Sequence, residues 1–107
     1  MVVGANVMPL VSVVMPTYRR ENTLKRAIKS VLGQTYKNLE LIVVNDNGDD
    51  EWFTPIVRDI VGTCSKIDGR VRLLEPSVHK NGAFARNRGV EAASGELLAF
   101  LDDDDWW

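Results

Sequence analysis

At 107 residues the chain has room for one small domain, and its net charge of −2 supplies none of the basic excess that a nucleic-acid-binding face requires. A chain of this size buries roughly two-thirds of its unfolded surface, and 45% hydrophobic content is ordinary for a globular protein. The single cysteine, Cys64, excludes an internal disulfide, and no stretch approaches the ~18 apolar residues of a membrane helix. Residues 1–8 lack the basic start of a signal peptide, so the expected location is cytoplasmic or peripheral to the membrane.

Residues 1–9 read as a tail, and 10–107 as the domain. Leu10 to Met15 is apolar and β-branched and stops at Pro16, which predicts a buried strand. Asn22 or Thr23 then caps a helix whose Leu24, Ala27, Ile28, Val31 and Leu32 share one face. Leu39 to Val44 is the second strand, ended by the turn-rich Asn45-Asp46-Asn47-Gly48. Thr54-Pro55 reads as an N-cap with proline at the first helical position. The inner face of that helix is Ile56, Val57, Ile60, Val61 and Cys64, which makes Cys64 a core residue and not a nucleophile. Val71 to Leu74 forms a short third strand. A third helix from Gly82 to Ala93 ends at Gly95 as a left-handed stop, and Glu96 to Leu101 is a fourth buried strand. The expected architecture is α/β: a Rossmann-like, mostly parallel sheet with helices on both faces and right-handed crossovers.

In such sheets ligands bind beyond the carboxyl ends of the strands, where strand order reverses. Every strand end here delivers a polar cluster to that edge: 16–20, 45–50, 76–81 and the run Asp102-Asp103-Asp104-Asp105. Neighbouring carboxylates repel by on the order of 1 kcal/mol per close pair even in water, and a hard divalent cation relieves them. In an extended segment Asp102 and Asp104 point one way, and Asp103 and Asp105 the other. The first pair then forms a D-x-D able to address one ion, Mn²⁺ or Mg²⁺; the competing reading is a solvated acidic tail. A calcium loop at 45–51 fails because Val43 stands where its first aspartate belongs. No glycine-rich phosphate loop follows the first strand, and His79 has no partner at metal-ligand spacing.

Five segments together carry a family likeness. Val11-Ser12-Val13-Val14-Met15-Pro16-Thr17-Tyr18, Ser30-Val31-Leu32-Gly33-Gln34-Thr35-Tyr36 and Glu40-Leu41-Ile42-Val43-Val44-Asn45-Asp46 come first. Asn81 to Gly89, with its A-R-N-x-G, and Ala93-Ser94-Gly95-Glu96 through Leu101-Asp102-Asp103-Asp104-Asp105-Trp106 follow in order. The chain thus resembles the family 2 glycosyltransferases of the GT-A fold, over residues 10–107. The resemblance implies that Pro16, Thr17 and Tyr18 line a base and ribose pocket. It implies that Asp46 accepts from a ring N–H of the base, usually uracil, and that Arg86 faces the phosphates or braces the pocket. It further implies that Asp104 ligates a metal bridging the diphosphate, with Asp102 beside it at the metal and holding ribose or sugar hydroxyls. The implied partners are a nucleotide diphosphate sugar donor and a saccharide or lipid-linked acceptor, with inversion at the anomeric carbon.

Two stretches depart from the pattern: Asn45-Asp46-Asn47-Gly48 replaces D-D-G-S, and Arg19 replaces an asparagine. The family's acceptor half and catalytic base follow the D-x-D, so the chain is expected to be a donor-binding portion, inactive alone. A non-catalytic nucleotide-binding or interaction module is the alternative. A nucleotidyltransferase fits less well, for want of a glycine in residues 16–20.

Overall fold

A computed structural model of the chain describes residues 8–76 and 81–107; most of the expected tail and His79 lie outside them. The elements run β1 (Val11–Thr17), α1 (Leu24–Leu32), β2 (Leu39–Asn45), α2 (Phe53–Ile67), β3 (Val71–Leu74), α3 (Gly82–Ala92) and β4 (Leu97–Phe100). The four strands form one parallel sheet in the order β3-β2-β1-β4. Chain order runs outward from β1 to β3 and then returns to the far side of β1, so strand order reverses between β1 and β4.

Alternation along the strands divides the core between two faces. Val13, Met15, Leu41 and Val43 meet α1 through Leu24, Ala27, Ile28 and Val31, and α2 through Val57, Val61 and Cys64. Val14, Ile42 and Val44 face the other way, onto Ala85 of α3. Each valine, leucine, isoleucine or methionine among them contributes about 1.5–3 kcal/mol when fully buried. Burial pushes the Cys64 thiol pKa up, against the nearby Lys25 and Lys29, as befits a core residue.

Pro16 does not stop the first strand. Val14 accepts from Leu101 N–H on the β4 side, and Thr17 accepts from Asp46 N–H on the β2 side. Backbone polarity alternates, so Pro16 presents its donorless nitrogen towards β4, where pairing has already ended at Val14–Phe100. The proline costs no ladder bond and opens the sheet at the reversal point.

Three other expectations are corrected. Thr54 does not cap α2: Asp50 accepts from the N–H groups of Trp52 and Phe53, while the Thr54 hydroxyl donates to Gly48 O at 2.9 Å. Pro55 still sits in the first turn, where backbone donors have no intrahelical acceptor. Gly95 is no left-handed stop, since Gly48 is the described glycine with positive φ. Its requirement is space: a Cβ there would lie 2.6 Å from Leu10 O and from Ser12 Oγ. Finally, β4 is not buried, because it is an edge strand and α3 packs over β1 and β2, leaving Leu97, Leu98 and Phe100 about half exposed.

Two helical glycines give opposite predictions. A Cβ on Gly62 in α2 meets nothing within 4 Å, so Gly62→Ala is expected to gain about 0.5–1 kcal/mol of helix propensity. A Cβ on Gly89 would lie 2.4 Å from Val14 Cγ1 and 3.2 Å from Val44 Cγ2, both in the fully buried centre of the sheet. Overpacking of about 1–3 kcal/mol exceeds the propensity gain, so Gly89→Ala is expected to lower the melting temperature while Gly62→Ala raises it. Equal shifts in thermal melts of the two variants would contradict this packing of α3.

Candidate functional site

A cleft of about 490 Å³ opens at the carboxyl end of the sheet, where strand order reverses. Its lining includes Pro16, Thr17 and Tyr18 from the end of β1, Asp46 after β2, Arg86 on α3, and Asp102 and Asp104 after β4. These are all the residues singled out from the sequence, brought into one place. Arg20, Asn81, Gly82 and Asp103 complete the lining.

Local hydrogen bonds explain how each wall is held. Asn45 Nδ2 donates to Thr54 Oγ1 at 3.0 Å, and Asn45 Oδ1 accepts from Asn47 Nδ2 at 2.7 Å. Asn47 Oδ1 accepts in turn from Arg19 N–H at 2.8 Å, tying the β2 loop to the β1 loop. The two asparagines that depart from the usual pattern thus staple the loop carrying Asp46, which is buried. Arg19 has φ of 52°, in the left-handed region where asparagine is favoured over other side chains. That explains in physical terms the asparagine of the resembling family at this position.

The acidic run is a tight turn, not an extended segment: Asp105 N–H donates to Asp102 O at 3.1 Å. The turn overrides the expected alternation. Carboxylate oxygens of Asp102, Asp104 and Asp105 lie within 4.8 Å of one another on the exposed side. Asp103 points inward and is only 7% exposed. Its Oδ2 accepts from Thr17 Oγ1 at 2.8 Å and Tyr18 N–H at 3.3 Å, and its carbonyl accepts from the Thr23 hydroxyl at 2.8 Å. Thr23 therefore anchors the turn instead of capping α1 with its side chain. Burial raises the Asp103 pKa, helped by the charge of Asp104 and opposed by Thr17, Tyr18 and Arg20.

Two guanidiniums bracket the turn. Arg86 Nη2 lies 3.5 Å from Asp102 Oδ1, and Arg20 lies 3.4 Å from Asp103 and 3.2 Å from Asp104. Asn81 caps α3 by accepting from Phe84 N–H at 2.8 Å, so the positive end of that helix opens on the cleft. Trp106 carries Arg26 over its ring at 4.1 Å. Sequence reasoning missed Arg20 and the separate roles of Asp103 and Asp105. Arg20 had a signal, its place after the first strand; the turn had none.

The profile of Glycosyl transferase family 2 matches residues 12–107. The chain belongs to that family. Among family members it is 39% identical over 99 residues to a GalNAc(5)-diNAcBac-PP-undecaprenol beta-1,3-glucosyltransferase of Campylobacter jejuni, covering 92% of this chain and 30% of that protein. It is 41% identical over 98 residues to a UDP-Glc:alpha-D-GlcNAc-diphosphoundecaprenol beta-1,3-glucosyltransferase of Escherichia coli, covering 92% of this chain and 36% of that one. The chain thus spans about a third of the length of these relatives. A mannosyltransferase from Pyrobaculum calidifontis, solved in complex with GDP-Man and Mn²⁺, superposes with a TM-score of 0.79 at 26% identity. That match covers 95% of this chain and 29% of the other. The strand order described above is therefore that of a family 2 glycosyltransferase sheet of the GT-A type. Among the described residues no helix is long and apolar enough to cross a membrane.

Proposed function

We propose that this domain binds a nucleotide diphosphate sugar in the cleft, and that the glycosyltransferase it belongs to passes the sugar, with inversion, to an acceptor hydroxyl. The observation that carries the reading is convergence. Residues from the ends of β1, β2 and β4 and from α3, each given a donor-binding part by the family likeness, line one cleft at the strand-order reversal. Asp46, buried between the β1 and β2 loops, accepts from a ring N–H of the base, which we take to be uracil. Pro16, Thr17 and Tyr18 line the base and ribose. Arg86 and the N-terminus of α3 supply positive charge for the diphosphate.

Asp102 and Asp104, joined by Asp105, would hold a divalent cation. Around Mg²⁺ the ligand oxygens lie about 3–4.2 Å apart, so the 4.8 Å cluster closes with small side-chain rotations. When bound, Mn²⁺ or Mg²⁺ supplies charge for the departing diphosphate. Asp103 keeps the turn against β1 while its neighbours are engaged. The bond between the anomeric carbon and the diphosphate oxygen breaks as the acceptor oxygen bonds that carbon, and the acceptor proton passes to a base. We assign that base to no residue of this chain, and expect the chain alone to bind donor without transferring sugar. Lipid-linked acceptors, as in the names of the two bacterial relatives, would place the enzyme at the cytoplasmic membrane face.

Calorimetric titration of UDP with and without Mn²⁺ tests the reading. Binding is expected to require Mn²⁺ and to weaken about tenfold or more in Asp46→Ala, the loss of one charged hydrogen bond. Tighter binding of GDP than UDP would reassign the base. Failure of a folded wild-type chain to bind either nucleotide would overturn the donor site.

A further inference from the structure

The two arginines that bracket the acidic turn hold it differently. Arg86 makes one contact, with Asp102. Arg20 makes two: Nε to Asp103 Oδ1 at 3.4 Å and Nη2 to Asp104 Oδ2 at 3.2 Å. Those two partners differ in kind. Asp103 is buried and bonded to β1, while Asp104 is exposed and belongs to the carboxylate cluster. Arg20 itself lines the cleft with a side chain 48% exposed, so it has room to turn.

A cation shared by Asp102, Asp104 and Asp105 competes with Arg20 for the charge of Asp104. Nothing in that exchange disturbs the contact with Asp103. The guanidinium is then anchored through Nε, with its Nη groups released into a cleft where an entering diphosphate needs cationic donors. We propose that Arg20 is an exchangeable counter-ion: it holds Asp104 until a divalent cation takes that carboxylate, then turns to the donor's diphosphate while anchored on Asp103. This rests on the cleft being the metal and nucleotide site. Arg20 opposes the ion when it comes alone and favours it when it comes with nucleotide. By linkage, each ligand then raises the affinity for the other.

The test compares wild type, Arg20→Gln and Arg20→Lys as full chains, after thermal melts establish that each is folded. Mn²⁺ alone is followed by the paramagnetic resonance signal of the free ion, and UDP in saturating Mn²⁺ by calorimetry. Arg20→Gln is expected to bind Mn²⁺ alone about threefold more tightly, the size of one exposed ion pair. The same variant is expected to bind UDP in Mn²⁺ about tenfold more weakly, through loss of a charge-assisted contact. Arg20→Lys, which keeps the charge, holds Mn²⁺ as the wild type does. A merely structural role would move both affinities the same way. Binding of Mn²⁺ and UDP by the wild type, with neither tighter metal nor weaker nucleotide in Arg20→Gln, overturns the proposal while leaving the site. Absence of both ligands from the wild type overturns the site and the proposal together.

Discussion

Glu40→Ala is expected to cost the domain about 2–3 kcal/mol at neutral pH, although Glu40 lies at the end of the sheet away from the cleft. Its Oε2 accepts from Ser12 Oγ at 2.6 Å and from Ser94 N–H at 2.7 Å, and Arg72 Nη2 lies 3.6 Å from Oε1. Ser12 Oγ accepts from Gly95 N–H at 2.8 Å, so one carboxylate joins β1, β2, β3 and the turn from α3 into β4. Removing it strands the hydroxyl of the fully buried Ser12. Burial pulls the Glu40 pKa up, but Ser12, Ser94 and Arg72 outweigh it and hold the carboxyl below its ordinary value. The unfolded chain therefore takes up this proton more readily than the folded one, with glutamate titrating near about 4.3. The stabilisation is complete above about pH 5 and fades as pH falls through 4.3 and on through the lower folded value. Melting temperatures of wild type and Glu40→Ala at pH 7, 5, 4 and 3.5 check this. The gap should narrow in acid; a constant gap would exclude the ionised carboxylate as its source.

That cluster shows what a motif likeness leaves unresolved. Glu40, Ser94 and Gly95 lie in segments that marked the family as clearly as Asp46 or Asp102 did, yet they brace the scaffold at the opposite edge. What the sequence made legible was local or periodic. The helix faces of α1 and α2 follow from 3.6-residue spacing, and the strands from short apolar runs. The proposed site residues of β1, β2 and β4 reached one cleft because strand ends in a parallel sheet share an edge, and Arg86 joins them from the first turns of α3. What stayed hidden depends on partners far along the chain. Thr23 and Thr54 looked like caps, but Thr23 bonds a carbonyl 80 positions away and Thr54 holds Gly48. Pro16 looked like a stop because nothing local says where β4 ends. Alternation mispaired the aspartates because a turn needs only one hydrogen bond, from Asp105 to Asp102, to defeat it.

The four aspartates are accordingly expected to separate into two kinds under mutation. Asp104→Ala should reduce Mn²⁺-dependent UDP binding by about 100-fold or more, as befits a ligand lost from the ion rather than a supporting contact. Its stability should stay within about 0.5 kcal/mol of wild type, because the carboxylate is exposed and its ion pair with Arg20 is offset by repulsion from its neighbours. Asp103→Ala should do the reverse in kind. It leaves the Thr17 hydroxyl without its buried acceptor and frees the turn from β1, at about 1–3 kcal/mol. Binding then weakens only as far as the turn loosens. Asp103→Asn keeps an acceptor oxygen for Thr17 and Tyr18 and should recover most of that stability, whereas Asp104→Asn should not recover metal-dependent binding. Chemical denaturation and nucleotide titration on the same four variants measure both axes. Equal stability losses at positions 103 and 104 would mean that the turn does not divide its carboxylates between the scaffold and the cleft. The separation, if observed, gives a physical reason for the spacing: the residue between the two cleft-facing aspartates turns inward, and its carboxylate fixes the height at which they stand.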